Sequence, residues 1–345
     1  MKVAPILAEA SRRRHIRMEL IHTGQHFSPE MSDAFFLELG MPEPKVNLGV
    51  CGGTPATQTA EIMLSLERLF ANQPPDLILV VGDVTSTLAA ALVASKTGIR
   101  LAHVEAGLRS FDRSMPEEIN RLVTDALSDF LFVTEPSGVR NLRAEGVAEE
   151  KIFLVGNVMI DTLLRFRTKA AESPILKELG ICPHGYAVVT LHRPSNVDNS
   201  SQLAFLCEML LELTAMLPVV FPVHPRTQAR LRGKLNENPN LILTPPLGYL
   251  DFLRLMSEAR MVLTDSGGIQ EETTILRVPC LTLRENTERP ITIEQGTNRL
   301  VGVEPTAILH AARQVLKGPS RWGVAPELWD GHASSRILDV LERVM

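Results

Sequence analysis

The stretch 76–121 limits what this chain can fold into more than any other. Residues 76–81 read D-L-I-L-V-V, the length and β-branching of a buried parallel strand, and the run stops at Gly82-Asp83. A helix-like segment follows, and then a second short strand over 99–104 that ends at Glu105. Strand, helix, strand is a βαβ unit, so Asp83 and Glu105 stand at the carboxyl ends of two parallel strands, on the rim where open α/β sheets take ligands. Glu117 and Glu118 open the next helix behind Ser114 and Pro116. Three acidic positions therefore converge on one rim. A single carboxylate at a strand end also serves as an N-cap or turn residue. Three of them beside H-V-E-A-G-L-R (from His103 to Arg109) are harder to explain that way.

The remaining chain repeats the alternation. A helix is expected over 1–14, a strand over 16–21, an amphipathic helix over 57–71, and strands over 129–134 and 152–155. The pattern lapses around 173–183 and resumes with strands at 186–191, 219–223, 241–243, 260–264 and 279–283, with helices at 202–217 and 247–259 among them. A chain of 345 residues exceeds the size at which one core keeps growing. The expected architecture is α/β: two Rossmann-like doubly wound domains facing a cleft. The first covers 1–166 and the second 167–331, and a last helix over 332–345 crosses back to the first.

A net charge of −5 argues against a nucleic-acid surface. No apolar run has the length of a membrane span and no signal-peptide core is present, so the cytoplasm is the expected location. Cys51, Cys182, Cys207 and Cys280 form no C-x-x-C pair, which suggests neither a metal site nor a disulfide framework.

Basic and glycine-rich turns mark the second half. T-D-S-G-G-I-Q-E-E (264–272) follows a short apolar strand and opens a helix. Ser266, Gly267 and Gly268 would present backbone N–H groups and the helix dipole to an anion, or form an N-cap at a tight turn. Glu271 and Glu272 lie about one turn further in, within reach of a ribose diol. T-L-H-R-P-S-N places His192 and Arg193 at a strand end, and F-P-V-H-P-R-T repeats the arrangement with His224 and Arg226. Such a histidine is a hydrogen-bonded structural group or a proton donor. T-E-R-P brings Arg289 past a further strand, where capping is the alternative role.

In one order the chain carries H-V-E-A-G-L-R-S, P-E-E-I-N-R, G-N-V-M-I-D, T-L-H-R, D-S-G-G-I-Q-E-E and T-E-R-P. Together these closely resemble the non-hydrolysing UDP-N-acetylglucosamine 2-epimerases over essentially the whole chain. The resemblance implies a GT-B architecture, a homodimer, and interconversion of UDP-GlcNAc and UDP-ManNAc, the latter for envelope polysaccharides. It assigns the catalytic carboxylates to Asp83, Glu105 and Glu117 and the catalytic histidine to His192. Substrate contacts fall on Ser266, Gly267, Gly268, Glu272 and Arg289, with His224 and Arg109 nearby. The family begins with a strand and a G-T-R-P-E turn; this chain starts just after it, with Lys2 matching the lysine downstream. The runs 16–21 and 76–81 are therefore expected to lack a strand between them, and the DNA before Met1 to encode it. Many bacterial members also carry an Arg-Gln pair and a second Gln at an activating site. Here the loop reads C-G-G-T-P-A-T-Q-T and Ser28 replaces that Gln, though Gln25 and His26 remain, so activation by substrate is not expected.

The chemistry asks for such groups. C2 of the sugar has no adjacent carbonyl, so its proton becomes acidic only as the bond from C1 to UDP breaks. Elimination to a glycal and re-addition need acid–base groups for both faces of C2 and retention of UDP, and no cofactor. A GT-B glycosyltransferase, a hydrolysing epimerase and an inactive UDP-sugar binder are the alternatives.

Overall fold

The computed structural model describes residues 1–24, 36–193, 196, 200–223, 227, 230–231, 235, 238–319 and 321–345. The chain divides into two compact units, Met1–Thr162 with Glu327–Met345, and Leu163–Pro326. The division falls inside the helix Val158–Ala171.

The strands of the first unit are β1 (Ile21–His22), β2 (Val46–Asn47), β3 (Leu77–Val81), β4 (Arg100–Ala106), β5 (Phe130–Val133) and β6 (Ile152–Leu154). They form a four-stranded parallel sheet in the order β3-β4-β5-β6 and a separate parallel pair, β1-β2. Leu101, Ala102 and Val104 of β4 are fully buried, as expected of a parallel strand covered on both faces. The alternating run 16–21 becomes strand only at its last residue. A strand needs a ladder partner, and in this run only Ile21 has one, Val46. Ile16 and Met18 pack instead against the core around Ala102, Val104 and Phe132.

The helix Pro55–Asn72 starts where the Thr54 hydroxyl accepts the N–H of Thr57, with proline at its first position. Ile62, Leu66 and Phe70 recur every fourth residue and bury one stripe against Ile78, Val80 and the alanine-rich helix Thr85–Thr97. The last helix, Ala333–Val344, shares a core with the first, Ala4–Ala10, through Ile337, Leu338, Leu341, Ile6 and Ala10. Asp161 caps its start by accepting the N–H groups of Ala333 (3.1 Å) and Ser334 (2.7 Å).

The second unit contains β7 (Ala187–Thr190), β8 (Val219–Pro222), β9 (Leu241–Thr244), β10 (Met261–Thr264), β11 (Cys280–Thr282) and β12 (Asn298–Leu300). These make one parallel sheet in the order β12-β11-β10-β7-β8-β9. The chain winds outward in both directions from β7, so β7 and β10 flank the point where strand order reverses, the usual place for a ligand. Among the described residues no helix is long and apolar enough to cross a membrane.

Candidate active site

Glu105 sits at a break in β4. The register with β5 shifts between Val104 and Ala106, and Glu105 takes a φ of 74°. A non-glycine residue in this left-handed region costs about 1–2 kcal/mol, and such strain collects at functional sites. Its carboxyl is buried, and Lys2 Nζ donates to Oε2 at 2.6 Å. The same ammonium would lie 3.3 Å from a Cβ placed on Gly82, so Lys2, Glu105 and the turn before Asp83 meet at the ends of β3 and β4.

Asp83 is held by the helix Pro116–Leu127. Arg121 Nη1 donates to its Oδ2 at 2.5 Å, and Asn120 Nδ2 to its carbonyl at 2.8 Å. Arg121 is itself fully buried and gives its other side to Glu118, with Nη2 at 2.7 Å from Oε2. Glu118 also accepts the N–H groups of Ser110 (2.9 Å) and Phe111 (3.0 Å), which fastens the loop after β4. Burial pushes the Glu118 pKa up, but the Ser110 amide and Arg121 outweigh it and hold the group below its ordinary value. Its neighbour Glu117 is exposed. The two adjacent glutamates thus divide, one tying the loop down and the other facing solvent.

Arg109, expected beside the nucleotide, instead lies buried inside the first unit. Nη1 is 2.7 Å from Asp125 Oδ2, while Nε and Nη2 donate to Glu145 at 2.8 and 2.6 Å. Its donors are directed at buried Asp125 and at Glu145 on the surface, which makes it a brace for the H-V-E-A-G-L-R turn. His103 is part of the same brace: Nδ1 is 2.6 Å from Asp125 Oδ1, and Nε2 is 2.9 Å from the Gly82 carbonyl. A carbonyl only accepts, so Nε2 carries a proton and ties the Asp83 turn to β4. Burial raises the Asp125 pKa, yet the charge and hydrogen bond of His103 and the charge of Arg109 outweigh it, so the group stays below its ordinary range. Polar His103 within the apolar run of β4 was the available signal for this brace.

In the second unit, His192 follows β7 and Asp265 follows β10. His192 is exposed, and its Nδ1 lies 2.6 Å from Asp265 Oδ1. Ser266 is the N-cap of the helix Gly267–Leu276, though its side chain caps nothing. Arg289 lies over that first turn: a Cβ on Gly267 would come within 2.5 Å of its Nη1. Glu271 takes Arg289 Nε at 2.5 Å and Glu288 takes Nη1 at 2.6 Å, so the guanidinium is fixed where helix amides begin. Amides, dipole and guanidinium at one spot suit a phosphate. His224 and the 25–28 segment lie outside the described residues. Among those described, no group of three His, Cys, Asp or Glu side chains is arranged to hold a metal ion.

Glu272, fully buried, accepts the Tyr249 hydroxyl at 3.0 Å. Burial, aided by the charge of Glu271, pushes its pKa up to about 7 against the lowering effect of that hydroxyl. A folded pKa above the unfolded value means the group favours folding at low pH, and that contribution is lost as pH rises from the ordinary carboxylate range through 7. Between pH 5 and 8 the unliganded protein is therefore expected to lose up to about 3 kcal/mol relative to Glu272→Gln. Parallel urea titrations of the two at both pH values measure it. Equal pH dependence would contradict the assignment.

The family model for UDP-N-acetylglucosamine 2-epimerase matches residues 8–342. The chain belongs to the UDP-N-acetylglucosamine 2-epimerase family. Within it, the UDP-N-acetylglucosamine 2-epimerase of Methanocaldococcus jannaschii is 41% identical over 351 residues, covering 99% of this chain and 95% of that protein. The UDP-2,3-diacetamido-2,3-dideoxy-D-glucuronate 2-epimerase of Pseudomonas aeruginosa is 40% identical over 329 residues, covering 94% and 91%. The crystal structure of the M. jannaschii UDP-GlcNAc 2-epimerase in complex with UDP-GlcNAc and UDP matches with a TM-score of 0.92, over 99% of this chain and 96% of that one. The α/β class with parallel sheets in two units, implied for an epimerase of this family, is the class observed.

Proposed function

We propose that the protein converts UDP-N-acetylglucosamine to UDP-N-acetylmannosamine at C2 without releasing the sugar, by eliminating UDP and adding it back. The observation that carries this reading is Glu105, a buried carboxylate held at a left-handed strand-end bulge beside Lys2 and the Asp83 turn. As the C1–O bond breaks, its electron pair leaves on UDP and positive charge builds at C1. The C2 proton then passes to a carboxylate, giving the C1=C2 glycal. Protonation on the opposite face and return of the UDP oxygen to C1 yield the epimer. Asp83, Glu105 and Glu117 serve as the acid–base groups, each contributing about 10²-fold or more.

The second unit retains the nucleotide. The N–H groups of Gly267 and Gly268 and the Arg289 guanidinium take the diphosphate beside the N-cap Ser266, whose own N–H is held by Thr264 Oγ1 at 3.0 Å, and Glu272 takes the ribose. His192 faces the charge developing on the leaving phosphate, and His224 is a further contact. Lys2 contacts substrate through the Glu105 site, whereas Arg109 is placed in the internal brace. The proposed assembly is the homodimer the resemblance implies, and the proposed setting the cytoplasm, where UDP-sugars are made. The Pseudomonas relative, at 40% identity, favours one second reading: the same C2 chemistry on UDP-2,3-diacetamido-2,3-dideoxy-D-glucuronate.

Incubating the protein with either UDP-sugar in D2O and following it by NMR decides among these readings. The accepted substrate acquires deuterium at C2 and keeps UDP attached. Accumulating free UDP would indicate hydrolysis, a requirement for an added acceptor would indicate transfer, and no change with either sugar would leave binding alone.

A further inference from the structure

Asp265 stands at an unexpected place. It is fully buried, yet it directly precedes the helix end that suits an anion. An uncompensated carboxylate there would repel a diphosphate. Its two oxygens are surrounded by donors: the N–H of His192 at 3.1 Å, the N–H of Arg193 at 3.0 Å, Asn196 Nδ2 at 3.0 Å and the His192 ring at 2.6 Å. Arg193 Nε also donates to the Asp265 carbonyl at 3.2 Å. The backbone contacts could be made equally by an asparagine. The ring contact differs, because an ionised carboxylate only accepts and so requires the proton on Nδ1.

We propose that Asp265 is a positioning residue for His192, holding the imidazole through Nδ1–H so that Nε2 is the nitrogen that meets the leaving group. The proposal rests on the reading that His192 assists UDP departure. As the C1–O bond breaks and its electron pair moves onto the UDP oxygen, Nε2–H of the imidazolium donates a hydrogen bond to that oxygen. The proton stays on Nε2 and the contact is released when the oxygen returns to C1. The Asp265 carboxylate balances the imidazolium charge throughout. Burial alone would raise the Asp265 pKa, but the hydrogen bond and charge of His192 and the Arg193 amide reverse that, so the group remains ionised.

The test is long-range 15N–1H correlation on the full chain, with the His192 signals identified by their loss in His192→Gln. The neutral ring is expected to carry its proton on Nδ1. In Asp265→Asn that preference should vanish, because an amide can present either an acceptor or a donor to Nδ1. In the same variant kcat should fall about 10²-fold or more with KM within about threefold, and His192→Gln/Asp265→Asn should be no slower than His192→Gln alone. A neutral ring with its proton on Nε2 and a bare Nδ1 in the unaltered protein, or losses that multiply in the double variant, would overturn the proposal. If Asp265→Asn fails to fold, the spectrum of the unaltered protein decides. Full activity in His192→Gln would remove His192 from the reaction, while the spectrum would still report whether Asp265 sets the ring.

Discussion

Glu105→Gln is expected to lower kcat by about 10²-fold or more while UDP binds nearly as before. Glutamine keeps the shape of the side chain and can occupy the same bulge, so the φ of 74° and the buried position need not change. What is lost is the ability to take a proton, together with the ion pair to Lys2. Asp83→Asn removes the charge that Arg121 faces and is expected to act as strongly, and Glu117→Gln likewise from its exposed place on the neighbouring helix. Glu118→Gln provides the contrast. That carboxylate fastens Ser110, Phe111 and Arg121, so its loss should appear first as reduced stability. Turnover rates beside UDP affinities by calorimetry separate the two behaviours. Near-normal epimerisation by any of the first three variants would remove that residue from the mechanism.

Gly267→Ala is expected to weaken UDP binding by about 30-fold, the equivalent of about 2 kcal/mol for one charge-assisted contact. A new Cβ would fall 2.5 Å from Arg289 Nη1, 2.9 Å from its Cζ and 3.0 Å from Glu288 Oε1. An arginine tip usually swings away from such a clash. This one is pinned, with Nε on Glu271 and Nη1 on Glu288, and both carboxylates are buried. Moving it disturbs two buried ion pairs as well as the proposed phosphate contact. The variant should raise KM more than it lowers kcat, because the diphosphate is held before and during the reaction. Unchanged UDP affinity in calorimetry would show that the guanidinium does not serve the nucleotide.

The fold was legible where apolar runs had an unambiguous length. Leu77–Val81, Ala187–Thr190 and Met261–Thr264 are short, β-branched and bounded by polar turns, and each is a parallel strand. Val46–Asn47 and Asn298–Leu300 carry no such signal, since two or three residues become strand only through the neighbour they pair with. Within the site, the sequence ends the strand at Glu105, and nothing local announces that β4 runs on to Ala106 through a bulge that turns Glu105. Glu117 and Glu118 look alike in local pattern; the resemblance singles out Glu117, and the loop that folds back onto Glu118 is what ties that one down. Arg109 lay in a recognisable motif, but the acceptors that hold it, Asp125 and Glu145, are 16 and 36 residues further along. Asp265 was visible only as the residue before a cap. Its link to His192 needs β7 and β10 side by side, which is a fact of topology.

In the proposed reaction the bond between C1 and the UDP oxygen breaks and re-forms in every turnover. UDP-N-acetylglucosamine labelled with 18O only at that bridging oxygen tests it directly, read by the isotope shift of its phosphorus resonances. As C2 epimerises, the label is expected to spread to the non-bridging positions of the β-phosphate, because the freed phosphate can rotate before it returns. Complete epimerisation with the label still confined to the bridge would contradict it.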